Sequence, residues 1–336
     1  GPGRRARGLP AMPPAASRNS RELRDAREAA LREAARRGHG GRARALLRSG
    51  RVDPECGRKD LLRGKGARKH LSPLLLAARS GNIGAVEALE AAGAELRQRD
   101  PATGRNALHL ACKRGHYELV VYLVKRGFDP RTPDDAGRTP LMHACWWGST
   151  KVARFLLTGP AGAPKHVNGL DTPRKWSALT GAVCHGQATI VKMLLANGAV
   201  CTTGDWLGRP PLLYCQRADI AWLLFQASAD CCATDPITGR NILHWAAESG
   251  NVSLAQAVIR FAVSRRDRAD LLRTLVTPID RVTGRTPLAL AECAGQPEIV
   301  SALRGTSFCI YEEMQRRVMS GKGVPPRPVT HRVASC

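Results

Sequence analysis

The chain has 336 residues, 43% of them hydrophobic but only 4% aromatic, and a net charge of +24. No apolar run reaches the ~18–20 residues that span a bilayer, and no apolar stretch near the N-terminus marks a secretory signal. Eleven cysteines, odd in number and without a CxxC pair, argue against a disulfide framework and for a reducing compartment, cytoplasmic or nuclear.

Residues 1–29 form a basic segment read as disordered, because the first twenty mix Pro, Gly, Arg and Ser with no apolar period. From Arg21 the text changes to RELRDAREAALREAARRG, a helical stretch of interleaved charges. The Arg-rich, acid-free leader also resembles an organelle transit peptide, and a chain opening on Gly1 reads as a fragment or processed product. Residues 1–70 hold 20 Lys/Arg against 7 acids, a concentration suited to nucleic acid or anionic lipid.

A motif then recurs, alanine followed four residues later by glycine: Ala34/Gly38, Ala77/Gly81, Ala111/Gly115, Ala144/Gly148, Ala182/Gly186, Ala246/Gly250 and Ala291/Gly295. A period near 33 residues predicts an array of stacked units. The fourth copy, DDAGRTPLMHACWWGSTKVARFLLTG, shows the physics. Thr139 caps a helix whose first turn accepts Pro140. Gly148 ends it in a left-handed turn. A second helix follows with Val152, Phe155 and Leu156 on its inner face, and Asp134–Gly137 is the turn leading in.

The hexapeptides TPLMHA at Thr139 and TPLALA at Thr286, with NALHLA at Asn106, NILHWA at Asn241, SPLLLA at Ser72 and SALTGA at Ser177, resemble the TPLHxA hallmark of the ankyrin-repeat family. The resemblance covers about residues 30–304 in eight units. It implies an all-α solenoid of stacked helix-turn-helix units joined by hairpin-like fingers, monomeric and non-catalytic, that binds another protein in a concave groove. The first copy lacks the hallmark and reads as a cap. The sixth, PPLLYCQRADIAWLLFQASAD, is short between its helices and has no motif glycine, so its helix pair is expected to be cramped. Insertions fall near 58–70, 159–175 and 261–275, and SRRDRADLLRTLV in the last reads as an extension of the seventh outer helix. Residues 305–336 read as a flexible tail, whose Pro325–Pro328 run resembles a minimal SH3 ligand.

No phosphate loop, GxSxG, HExxH or paired carboxylates suggest catalysis, and no cofactor is expected. A zinc site from Cys201, Cys215, Cys231 and Cys232 lacks ligand spacing, so no metal is expected. In the family His109 and His244 brace the repeat turn. The resemblance also places the two residues before each motif glycine in the groove, which nominates Arg79, Lys113, Arg114, Trp146, Trp147 and His185 as partner contacts. Consecutive helical residues lie about 100° apart, so Trp146 and Trp147 cannot both enter the core. One reading lets a tryptophan fill the gap beside Cys145. The other makes the pair aromatic anchors for a peptide with acidic and apolar residues. Arg105, Arg138, Arg209, Arg240 and Arg285, with Lys175 near the matching place in the fifth copy, follow the finger turns and align as a basic edge. That edge is either solvated or steers acidic partners. Two further readings are nucleic-acid or anionic-surface binding through residues 1–70, and a substrate-recognition arm of a larger enzyme.

Overall fold

The computed structural model describes residues 15–50, 52–55, 71–159, 167–265 and 267–319. The expected insertion at 58–70, part of that at 159–175, and Pro325–Pro328 lie outside these residues. The chain divides into two compact units, Gly1–Asp135 and Ala136–Cys336.

In the first unit α1 (Ala15–Arg37) and α2 (Gly40–Arg48) precede two helix pairs, α3 (Pro73–Ser80) with α4 (Ile83–Ala91) and α5 (Ala107–Arg114) with α6 (Tyr117–Lys125). Helix α1 packs on α3 and α2 on α4, so the copy without the hallmark covers the end of this unit. Residues 15–29, expected to be disordered, are helical. Within them Arg24 pairs with Glu28, and in the next turns of the same helix Glu33 pairs with Arg36 and Arg37, at i,i+3 and i,i+4 spacing. Leu31, Ala34 and Ala35 of the same helix are buried.

The second unit continues with α7 (Pro140–Trp146) and α8 (Thr150–Thr158), α9 (Ala178–Cys184) and α10 (Ala188–Ala196), then a single 3-10 turn (Pro211–Tyr214) followed by α11 (Ala218–Gln226). Next come α12 (Ile242–Ser249), α13 (Val252–Ser264), α14 (Arg268–Val276), α15 (Pro287–Cys293) and α16 (Pro297–Met319). No strand occurs among the described residues, only an isolated bridge between Thr234 and Asn241. The shortened sixth copy folds by replacing its inner helix with that one turn while keeping a full outer helix.

Two expectations are corrected here. Residues 268–276 form a separate helix, α14, because Arg265 is extended and ends α13. Residues 305–319, assigned to a tail, continue α16. Leu303 and Thr306 are buried in it, and it packs against α13 and α14.

The local rules act as the sequence predicts. Ser72, Asn106, Thr139, Ser177, Asn241 and Thr286 each cap an inner helix through the side-chain oxygen. All seven motif glycines have positive φ, between 64° and 78°. His109 and His244 complete capping boxes with Asn106 and Asn241, each ring Nδ1 accepting from the asparagine backbone N–H at 3.3 and 3.1 Å. The repeat-locked Cys145 and Cys215 are buried free thiols. Burial pushes the Cys215 thiol up to about 12 and Cys145 higher still, so both behave as small hydrophobes.

Candidate functional site: an arginine–aromatic column and its exposed neighbours

Each finger begins with an aspartate, and in the later fingers that aspartate closes the turn on itself. Asp235 N–H donates to the Arg240 carbonyl at 2.7 Å and Gly239 N–H to the Asp235 carbonyl at 2.8 Å, and Asp280 repeats this with Arg285 and Gly284. These aspartates are buried: Asp134, Asp171, Asp205, Asp235 and Asp280 are 0–7% exposed. A buried carboxylate needs a cation or several donors, and the finger arginine of the preceding repeat supplies the cation. Arg105 reaches Asp134 at 3.2 Å, Arg138 reaches Asp171 at 3.3 Å, and Arg240 reaches Asp280 at 2.9 Å. Arg209 divides itself between Asp205 of its own finger (3.3 Å) and Asp235 of the next (3.8 Å).

The expected basic edge is thereby corrected. Four of its arginines are internal staples, with side chains 12–25% exposed and their charges met by buried carboxylates. Arg285, in the last finger, is exposed. Lys175 does not stand at the arginine position. It takes the place of the finger glycine, with φ 53°, and Trp176 follows where an arginine stands elsewhere.

The electrostatics follow from this pairing. Burial works against the Asp280 carboxylate, but Arg240, the Val282 N–H and the Thr283 hydroxyl outweigh it and hold its pKa well below the usual range. Burial and the Asp205 carboxylate together push Tyr214 up to about 12. The Tyr214 hydroxyl donates to Asp205, whose own pKa is lowered by that bond and by backbone donors despite burial.

On these arginines stands a column of rings within the second unit. Arg138 lies over Trp146 (5.1 Å), Arg174 over Trp176 (4.9 Å), Arg209 over Tyr214 (5.7 Å) and Arg240 over Trp245 (5.1 Å). Trp176 meets Trp146 edge-on at 6.0 Å and Tyr214 at 5.1 Å.

The tryptophan pair resolves into two roles. Trp146 is half-buried and donates Nε1–H to the Ser177 carbonyl at 3.3 Å. Its indole lies against Gly181, the residue that gives the fifth hexapeptide, SALTGA, no side chain at that point. Trp147 is 59% exposed. His185 occupies the same register at the end of α9, which packs on α7, and is also exposed. Trp206, at 62%, and Trp245, at 36%, add exposed aromatic surface that sequence reasoning missed. The signal for Trp245 was its place in NILHWA, where the fifth copy has glycine.

The remaining nominated residues belong to the first unit. Arg114 is exposed and Lys113 half-buried at the end of α5. Arg79 lines a cavity of about 520 Å³ with Arg32, Glu33 and Arg36. On α1 and α2, Arg24, Arg36, Arg37 and Arg44 pair with Glu28, Glu33 and Glu87, so part of the N-terminal charge is spent internally.

Comparison with known proteins agrees with the repeat geometry. The family described as ankyrin repeats (3 copies) matches residues 74–169 and 215–311. The chain is 31% identical over 134 residues, 40% of its length, to a probable E3 ubiquitin-protein ligase, XBOS32, of Oryza sativa subsp. japonica. It is 45% identical over 65 residues, 19% of its length, to human ankyrin repeat domain-containing protein 63. It is 32% identical over 139 residues, 40% of its length, to the palmitoyltransferase AKR1 of Lachancea kluyveri. These matches span 26%, 17% and 18% of the respective relatives, so the chain covers about a quarter or less of each. Among solved structures, the ankyrin repeat domain of Bcl-3, a member of the IkappaB protein family, matches with a TM-score of 0.52 and 25% identity, over 70% of this chain and 98% of that one. No helix among the described residues is long and apolar enough to cross a membrane.

Proposed function

Because this chain belongs to the ankyrin-repeat family, whose repeats bind other proteins, we propose that it is a non-catalytic scaffold or adaptor that grips a partner segment on the inner-helix face of the second unit. The observation that carries this reading is Trp147. A tryptophan left 59% exposed at a helix end, beside one that is packed, spends apolar surface on solvent unless a partner covers it. His185 lies at the same register at the end of the neighbouring helix, and Arg174 is exposed on its finger, stacked on Trp176. A partner segment with an apolar anchor followed by acidic residues fits this set. With four finger arginines neutralised, the cationic contribution comes from Arg174 and Lys175.

The test is affinity capture from nuclease-treated lysate with the intact chain and with Trp147→Ala, both checked for equal Tm. Proteins retained by the intact chain and lost with the variant, then mapped to a short acidic and apolar segment, support the reading. Retention of the same proteins by the variant overturns it.

The same surface would serve as the substrate-recognition arm of a larger enzyme. Relatives named as a ligase and a palmitoyltransferase, each much longer than the matched region, favour this second reading. A catalytic domain in the full gene product would decide for it.

A further inference from the structure

Among the described residues one set of side chains converges as metal ligands do. The Sγ atoms of Cys231 and Cys232 and a carboxylate oxygen of Asp230 all lie within 4.8 Å of one another. They sit on the turn before the seventh finger, where Asp230 Oδ1 accepts from the Cys232 N–H at 2.9 Å.

The repeat does not need sulfur at both positions. The equivalent loop one repeat earlier carries Cys201 and Thr202, and in the third repeat Pro130 and Arg131 stand there. Cys231 is buried, as Cys201 is, and packing alone accounts for it. Cys232 is different, being half-buried at a place that elsewhere holds a polar side chain.

A second element closes the group from the other side. Helix α14, the insertion in the seventh repeat, brings the Thr274 hydroxyl to 2.9 Å from Cys232 Sγ and the Leu271 carbonyl to 3.9 Å. The Asp230 carboxylate within this group adds a negative charge beside the two sulfurs, which favours a cation there. The donor set is thus two sulfurs and one carboxylate, with a hydroxyl adjacent.

We propose that Asp230, Cys231 and Cys232 form a binding site for a thiophilic divalent cation of the zinc type. Two thiolates select for such an ion over calcium or magnesium, which take oxygen ligands. Small side-chain rotations bring three donors to the ~2.0–2.3 Å bonds of a tetrahedral ion, leaving the fourth position for water or the Thr274 hydroxyl. Binding forms two metal–sulfur bonds and releases the two thiol protons to solvent. With the Thr274 hydroxyl in the fourth position the ion would tie the loop before the seventh finger to α14; with water there it would brace that loop alone.

The test uses the full chain, reduced and stripped of metal. Cadmium is titrated while the sulfur-to-metal charge-transfer absorbance is followed, and zinc affinity is measured by competition with a chromogenic chelator. The expected result is one saturable equivalent with two protons released and a rise in Tm on zinc addition. Cys231→Ser and Cys232→Ser lose the absorbance, Asp230→Asn keeps it but binds zinc about tenfold or more weakly, and Cys293→Ser changes nothing. Each variant's metal-free Tm shows whether it is folded. An intact chain that shows no saturable absorbance overturns the site whatever the variants do. An absorbance that survives both serine variants places the ion on other cysteines and overturns it equally.

Discussion

Trp146 lies across Gly181 so closely that a Cβ on that glycine would fall 1.8 Å from the indole Nε1. The contact joins the fourth and fifth repeats, and the same Nε1 donates to the Ser177 carbonyl. Gly181→Ala must therefore expel the ring or shift a helix, an overpacking cost of about 1–3 kcal/mol. The urea midpoint of the variant should fall accordingly. Gly305→Ala is the matching control, since beyond the surrounding backbone of α16 itself no atom lies within 4 Å of that Cβ position. There alanine should stabilise by about 0.5–1 kcal/mol through helix propensity. An unchanged midpoint for Gly181→Ala would show that the ring does not rest there.

Arg240 and Asp280 form the best-enclosed of the inter-repeat staples, with side chains 12% and 0% exposed. Removing the arginine leaves a carboxylate buried without its cation. Arg240→Ala should cost about 3 kcal/mol, the lower end for breaking a buried pair, because Val282 N–H and Thr283 still donate to Asp280. Arg285→Ala, at an exposed position in the last finger, should stay within about 0.5 kcal/mol. Equal midpoints for the two variants in chemical denaturation would refute the distinction between staple and surface.

The same carboxylates set the acid limb of stability. Asp280 and Asp205 have folded pKa values below the ordinary value. A depressed carboxylate contributes stability that is fully present above its unfolded pKa of about 3.9. That contribution disappears as pH falls through this value toward the folded one. Denaturant midpoints should accordingly be insensitive to these groups near neutrality and fall below about pH 4. Asp280→Asn should lower stability at pH 7 and flatten the acid limb. A variant whose acid limb is as steep as that of the native chain would sink the assignment.

How much of this was legible in the sequence depended on how local the cause was. Caps, left-handed glycines and capping histidines are decided within a few residues, and they stand where the hexapeptides place them. The pairing of Arg138 with Asp171, or Arg240 with Asp280, spans 33 or 40 residues. A row of arginines therefore read as a surface, because the buried acids that neutralise it belong to the next finger. Lys175 misled by one position: the fifth finger keeps the turn but puts lysine at positive φ and a tryptophan where arginine recurs. The break at Arg265 that separates α14 from α13 has no glycine or proline to announce it. Cys231 and Cys232 converge with Asp230 as consecutive residues of one loop, a pattern that the ligand spacing expected of Cys201, Cys215, Cys231 and Cys232 does not describe.

The two tryptophans separate stability from binding. Trp146 is held by Gly181, Trp176 and Arg138, so Trp146→Ala leaves a cavity between repeats. It should cost about 3 kcal/mol, the lower end for a large aromatic because the ring is half-buried. Trp147, 59% exposed, has less of its ring covered than Trp146, and Trp147→Ala should change stability by no more than about 0.5 kcal/mol. At a partner interface the order reverses: an exposed tryptophan that anchors a segment is worth about 2 kcal/mol or more. Trp147→Ala should then weaken partner binding some thirtyfold while its melting curve overlays that of the native chain. Measuring both quantities on both variants is decisive. If Trp147→Ala melts early and binds normally, its ring belongs to the fold and the inner-helix surface must find its anchor elsewhere, with Trp206 and Trp245 as the next positions to substitute.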